Sequence, residues 1–252
     1  MRIEQGFVGA TFFKKAFLSK YGLKQIFDYN RPAVFYGMYP KQINLALAMK
    51  KPCVIVWCGS DALFAKDPKH NYRRIFKSGK FTHIAKSNMI KESLKEAGLM
   101  ADIKLLPVTP FEYKGYKPET LGDSVYFYGI EKTGDLYGVE LFKEVRERLE
   151  HANIPSIWLK PLQVGTALPS YRKSFCGLRL TKHDGMANTV VEMVLMGRRC
   201  LWNDQAPGCE PFRDTKDIME FVRREQMRRM PDLEAAQAMK KFISVNDNWL
   251  NI

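Results

Sequence analysis

Gly177 to Trp202 reads GLRLTKHDGMANTVVEMVLMGRRCLW, and the order of residue types predicts a strand, a polar loop, a helix and a second strand. The apolar run Gly177 to Leu180 has the length of a buried strand, and the polar turn through Lys182, His183, Asp184 and Gly185 ends it. Hydrophobic residues then recur at helical spacing from Asn188 to Met196, where the methionines read as packing, and Arg199 to Trp202 supplies the next short strand. Strand, tight loop and helix in this order are the unit from which parallel α/β sheets are built. The first turn of such a helix turns unbonded amides and the positive end of its dipole toward the loop, and both attract a diphosphate. Asp184 and Glu192 are eight positions apart, which puts one carboxylate in the loop and the other about one turn into the helix. Two acceptors so spaced suit the hydroxyls of a sugar and of a ribose on either side of one phosphate pair.

The same alternation extends outward in both directions. Strands are expected at Ala33 to Tyr36, Cys53 to Trp57, Thr82 to Ala85 and Ile103 to Leu106, with a short polar one at Met1 to Gln5. Helices fall at Lys41 to Lys50, opened by Pro40, and at Ser87 to Ala97, where Ser87 caps the first turn and Gly98 ends the last. Residues 107 to 123, with three prolines and two glycines, break the periodicity and read as an interdomain connection. A second series follows: strand Ser124 to Tyr128, helix Gly138 to His151, strands Ser156 to Leu159 and Gly177 to Leu180, then helices over Asp214 to Arg229 and Leu233 to Ile243, parted by Pro231. The expected fold is α/β, with two Rossmann-like domains facing a cleft: a reduced basic acceptor-binding domain over 1 to 110 and a donor-binding domain with C-terminal helices over 111 to 252.

The strand, the acid-glycine loop and the later glutamate resemble the donor-binding motif of retaining GT-B glycosyltransferases of family 4, in which glutamate, seven residues and a second glutamate stand at this point. Asp184 takes the first position and Glu192 the second, and Gly185, Met186, Ala187 and Asn188 match the family's turn of glycine, apolar, small and asparagine. The resemblance implies that Asp184 and the amides after it contact the donor sugar, Thr189 the diphosphate and Glu192 the ribose. His183 is placed to bond sugar or phosphate, or is an exposed loop histidine, and Arg179 is counted among the donor-binding residues. Tyr128 and Gly129 resemble the strand and glycine that open the family's second domain, with Tyr137 where a basic residue usually stands and Lys132 as a substitute. VIVWCGSDAL (Val54 to Leu63) and HIAKSNMIKESLKEAG (His83 to Gly98) resemble segments of the first domain, and Gly6 and Gly9 resemble its glycine loop. Asp61 leaves a buried strand at its carboxyl end, where open α/β sheets bind ligands, and is a candidate base or acceptor-orienting group, or else the cap of the next turn. Asp184, Asp61 and His183 are thus the catalytic candidates.

Charge narrows the acceptor. Residues 1 to 110 hold 19 Lys or Arg against 7 Asp or Glu, whereas residues 111 to 252 hold 21 against 20. A field so one-sided attracts polyanions. Lys66, Lys69, Arg73, Arg74, Lys77 and Lys80 lie close together with Tyr72 and Phe76 interleaved, a composition suited to DNA phosphates, and compact transferases with such charge resemble those that glycosylate modified bases in viral DNA. Phe12, Phe13 and Phe17 beside Lys14 and Lys15 also suit a helix on an anionic membrane, as in transferases acting on lipid-linked or cell-surface glycans. DNA is slightly favoured. The expected donor is a UDP-sugar as substrate, with no cofactor and no metal, since no His, Cys and carboxylate group has ligand spacing and no Walker-type phosphate loop exists. The five scattered cysteines read as reduced thiols, and no apolar run spans a bilayer or resembles a secretory leader, so a cytoplasmic protein is expected (host cytoplasm for a viral chain), with peripheral membrane attachment as the alternative. A nonenzymatic nucleic-acid-binding module would need the basic half and no donor loop, and a nucleotide-sugar epimerase would need the donor loop and no polyanion surface.

Overall fold

The computed structural model describes residues 1–9, 11–25, 28–130, 136–159 and 167–251. They form two compact units: Met1–Glu112 with Asp184–Met186 and Ile243–Ile252, and Tyr113–His183 with Ala187–Phe242.

The first unit holds strands β1 (Gln5–Val8), β2 (Ala33–Tyr36), β3 (Cys53–Trp57), β4 (Phe81–Ala85) and β5 (Ile103–Leu105), all parallel and in sequential order. Helices α1 (Lys14–Lys20), α2 (Ile43–Ala48), α3 (Ser60–Lys66), α4 (Tyr72–Lys77) and α5 (Asn88–Glu96) connect them. β2 and β3 are buried along their whole length, as strands covered on both faces must be, which is why they read as unbroken apolar runs. Alternate residues serve opposite faces. Phe35, Ile55 and Trp57 pack with Tyr72, Ile75, Ile90 and Leu94 from α4 and α5. Val34, Tyr36, Val54 and Ile84 pack with Phe17 and Tyr21 and with Trp249 and Leu250 from the end of the chain.

Two expectations are corrected in this unit. The first strand begins at Gln5 and not at Met1, and Gly6 lies inside it, with Leu18 and Leu23 filling the space a Cβ would need. The last residues return to the first unit: Ile3 donates to the carbonyl of Leu250, and Trp249 meets Tyr21 edge to face. Aromatic burial against Phe17 and Tyr21 holds that segment, and charge partition along the chain carries no trace of it.

The second unit holds β6 (Ser124–Tyr128), α6 (Val139–His151), β7 (Ser156–Leu159), α7 (Ala167–Arg172), β8 (Ser174–Arg179), α8 (Asn188–Leu195), β9 (Arg199–Trp202), β10 (Cys209–Glu210), α9 (Thr215–Met227) and α10 (Leu233–Ile243). Its parallel sheet runs β10-β9-β8-β6-β7. Phe127 stacks on Phe142 at 3.8 Å, and Ile218, Phe221 and Val222 complete that layer. β8 starts at Ser174, three residues before the expected strand, because Ser174 and Phe175 are polar or bulky yet buried. Gly177 leaves room for the Met193 side chain of α8, which bears out the packing role of that methionine. Buried Arg198 donates to the carbonyls of Glu119, Thr120, Tyr171, Ser174 and Met196, so the segment read as a connection is clamped to the second sheet.

Candidate functional site at the carboxyl edge of the second sheet

From β6 the chain crosses by α6 to β7 on one side, then returns to place β8 on the other side of β6. The direction of winding therefore reverses between β6 and β8, and the carboxyl ends of strands at such a reversal are where open α/β sheets bind ligands. The first sheet, with its sequential order, has no such reversal.

Tyr128 ends β6 and Arg179 ends β8. The Arg179 guanidinium lies over the rings of Tyr128 and Tyr137, 4.9 Å from each centroid. The two rings meet each other edge to face at 5.8 Å, so both flank the buried guanidinium from one side and hold its charge by cation-π contact. Arg179 from the neighbouring strand thus brings positive charge to Tyr137, the position where the resemblance implies a basic residue. Gly129 has no room for a side chain, since a Cβ would stand 2.6 Å from the Phe127 ring. Gly138, at φ +65, caps α6 where a Cβ would strike the Leu180 carbonyl at 2.1 Å. Lys132 lies outside the described residues.

α8 opens at Asn188, whose Oδ1 accepts from the Tyr113 hydroxyl at 2.6 Å. Glu192, one turn on, accepts from the Tyr171 hydroxyl at 2.6 Å, and Tyr116 also bonds its carboxylate. Burial raises the Glu192 carboxyl above the ordinary glutamate value, while the two tyrosine donors pull it back. Glu192 is thus half-buried and engaged, not an exposed acceptor. Thr181, fully buried at the end of the strand, has a hydroxyl oxygen with no partner among the described residues. Thr189 and His183 are half-buried and belong with this unit, as does Ala187, which flanks the helix without a side-chain cap.

Asp184, Gly185 and Met186 group with the first unit. The Asp184 carbonyl accepts from the Ser87 hydroxyl at 2.9 Å, and Ser87 also caps α5 through the Ile90 amide. Gly185 is pressed on the first unit so closely that a Cβ would stand 1.9 Å from the Cys58 carbonyl oxygen. Gly185 and Asp61 therefore belong to one unit, which corrects the expectation that they face each other from different domains.

Asp61 is corrected as well. It is fully buried and accepts from the amides of Gly59 at 2.7 Å, Met38 at 2.9 Å and Cys58 at 3.0 Å. Burial pushes its carboxyl up and these amides pull it down, but no face of it is left for a substrate proton. It organises the turn into α3. Gly9 follows β1, where a Cβ would stand 2.4 Å from the Gly37 carbonyl, so both early glycines answer to packing.

The basic cluster divides. Lys80 donates to the carbonyls of Leu47 and Met49, and Lys66 pairs with Glu96, whereas Lys69, Arg73, Arg74 and Lys77 are exposed. Tyr72 and Phe76 do not interleave with them on the surface. Tyr72 is buried with its hydroxyl on the Met38 carbonyl, and Phe76 packs on the core. In the same way Phe17 is buried on Tyr36 and Phe13 meets Phe111, leaving Phe12 as the exposed ring beside α1. Of the three rings expected on a membrane, Phe17 is thus turned to its own core, Phe13 is half-buried and Phe12 is exposed.

Tyr113, Tyr116 and Tyr171 were missed as site residues. The first two sit among prolines and glycines that read as a linker, and a lone tyrosine on α7 carries no spacing signal.

No family model matches the sequence, and neither does any curated protein. Solved structures do match. TarM of S. aureus, in a mutant form complexed with fondaparinux, alpha-GlcNAc-glycerol and UDP, aligns with a TM-score of 0.58 at 8% identity over 86% of this chain and 53% of its own. HepE of Anabaena, complexed with UDP and glucose, gives 0.57 at 11% identity over 96% and 79%. Sucrose-phosphate synthase of Thermosynechococcus elongatus gives 0.55 at 9% identity over 94% and 73%. The fold is GT-B. These neighbours are GT-B glycosyltransferases, and the chain spans about half the length of TarM. In the GT-B frame the reversal between β6 and β8 belongs to the second of two Rossmann-like sheets, the one whose unit also holds α8.

Proposed function

We propose that the chain is a glycosyltransferase that moves a sugar from a nucleotide sugar, a UDP-sugar, to an acceptor hydroxyl. The observation that supports this most is the polar cluster at the winding reversal of the second sheet: Arg179 packed on two tyrosine rings, Asn188 bonded to Tyr113, and Glu192 bonded to Tyr171 and Tyr116. Arg179 and the opening turn of α8, at Asn188 and Thr189, would neutralise the diphosphate. Glu192, whose carboxylate keeps lone pairs beyond those that the Tyr171 and Tyr116 hydroxyls engage, would accept from a ribose hydroxyl. His183, of the same unit, would orient the donor sugar.

In the transfer, the bond from the sugar's anomeric carbon to the diphosphate oxygen breaks, and a bond to the acceptor oxygen forms. The acceptor proton passes to the departing diphosphate oxygen, which is consistent with retention and requires no base from Asp61. We read the reaction as metal-independent and retaining on the family resemblance.

The acceptor is read as an anion held by the first unit, whose exposed Lys69, Arg73, Arg74 and Lys77 offer phosphate contacts without sequence reading. DNA with modified bases is one such acceptor. Burial of Tyr72 and half-burial of Phe76 reduce the aromatic surface on which bases would stack, and this favours the second, a lipid-linked or cell-surface glycan. Release of UDP from a panel of UDP-sugars, with duplex DNA and with lipid-linked glycans as acceptors, tests the reading. Stimulated release with one acceptor class supports it, and binding of DNA without use of any nucleotide sugar would assign the chain to nonenzymatic nucleic-acid binding.

A further inference from the structure

The turn between α9 and α10 exposes Met227, Met230 and Leu233 at 72%, 72% and 63%, although Met193, Met196, Met219 and Met239 of this unit are buried. The turn is built to hold them there. The Arg228 guanidinium bonds the Glu225 carboxylate at 2.8 Å, the Met230 carbonyl at 3.0 Å and the Gly197 carbonyl at 3.2 Å. The Asp232 amide donates to the same Gly197 carbonyl, and the Asp232 carboxylate accepts from the Ala235 amide as α10 begins. Gly197, at φ +81, admits Pro231 where a Cβ would collide at 2.5 Å.

Around these apolar tips lie Arg223 and Arg229, both exposed and paired with no carboxylate among the described residues. Arg223 shares a helix face with Met227 four positions on. The nearby charges are otherwise engaged: Arg224 bonds Glu210 at 2.7 Å, Asp232 lies 3.7 Å from Arg199, and Lys216 pairs with Glu220. Glu234 is the exposed acid beside Leu233.

We propose that this turn docks on the surface of an anionic lipid bilayer, with Met227, Met230 and Leu233 inserted at the headgroup boundary and Arg223 and Arg229 on lipid phosphates. Three side chains on one turn fall short of the ~1,000 Å² that a stable protein interface needs. A bilayer demands no matching contour, takes flexible methionines readily, and rewards each nearby arginine with attraction to anionic lipid. Among the described residues no helix is long and apolar enough to cross a membrane, so the contact is interfacial. The inference stands apart from the sugar-transfer reading and fails or survives without it.

Flotation of the full chain with phosphatidylcholine vesicles, with and without 30% phosphatidylglycerol, tests it. The expected result is partition onto the anionic vesicles that weakens with salt. Met227→Ser, Met230→Ser and Leu233→Ser together should lower it more than tenfold, and Arg223→Gln with Arg229→Gln by about tenfold or more, at unchanged melting temperature, because none of the five is buried. No partition of the unaltered chain overturns the proposal. So does equal partition of the serine variant, which would move the contact to the basic first unit. Concentration-dependent dimerisation abolished by the serine variant, with no vesicle binding, would make the patch a contact between copies and overturn it too.

Discussion

Replacing Glu192 by alanine and by glutamine separates its structural part from its proposed ligand part. Its carboxylate takes the hydroxyl of Tyr171, which is fully buried, and bonds Tyr116 as well. Glu192→Ala takes the charged acceptor away from the Tyr171 hydroxyl, and loss of a hydrogen bond to a charged group costs about 1.5–3 kcal/mol. At ~2–4 °C per kcal/mol for a chain of this size, the melting temperature should fall by roughly 3–12 °C. Glu192→Gln keeps a carbonyl oxygen for Tyr171 and should fall by much less. Burial holds the Glu192 carboxyl above its ordinary value, so the charged form weighs on the fold more as pH rises past the ordinary glutamate range. The stability of the glutamine variant relative to the unaltered chain should therefore improve from pH 4 to pH 7. Differential scanning calorimetry of both variants across that range reads all three effects. An alanine variant as stable as the parent at pH 7 would refute the Tyr171 bond and the reasoning built on it.

Three further outcomes are expected. His83, buried with Nδ1 accepting from the Trp57 indole, is lowered from 6.5 to about 4 by burial and stays neutral in the folded chain. Its contribution is complete above 6.5 and is lost as pH falls toward 4, about 3 kcal/mol in all, and urea titrations of His83→Gln should show a flatter acid limb; an unchanged limb would place the acid sensitivity elsewhere. Gly185→Ala brings a Cβ to 1.9 Å from the Cys58 carbonyl, so the loop must leave its seat, and donor turnover should drop at least tenfold; normal turnover would show that the seat is dispensable. Replacing Arg73, Arg74 and Lys77 together by glutamine should flatten the log-log salt dependence of acceptor binding, by ~0.9 per phosphate contact if the acceptor is duplex DNA, while nucleotide-sugar affinity holds; equal loss of both would show a general defect.

Much of the fold was legible because its signals are local. β2, β3, β6 and β9 stand where their apolar runs predicted, and Ser87 caps α5 as its position before an amphipathic stretch implied. Strand order was not legible, since nothing in β8 says that it returns past β6. The acid-glycine loop was readable as a motif, but its seating on the first unit depends on the Cys58 carbonyl and the Ser87 hydroxyl, about a hundred residues away in sequence. Asp61 illustrates the opposite error: a carboxylate at a strand's carboxyl end has the right address for catalysis, and three converging backbone amides consume it. Tyr72 and Phe76 sit between basic residues in sequence and beneath them in space, because a one-turn helix alternates sides within two or three positions.

The central claim is that the cluster at the β6–β8 reversal binds the nucleotide diphosphate of a sugar donor. Isothermal titration of the full chain with UDP and UDP-sugars, beside Arg179→Gln and Glu192→Gln variants whose melting temperatures are checked first, tests it most directly. The account predicts saturable binding by the parent chain and at least tenfold weaker binding by each folded variant. Binding of equal strength in all three would contradict it.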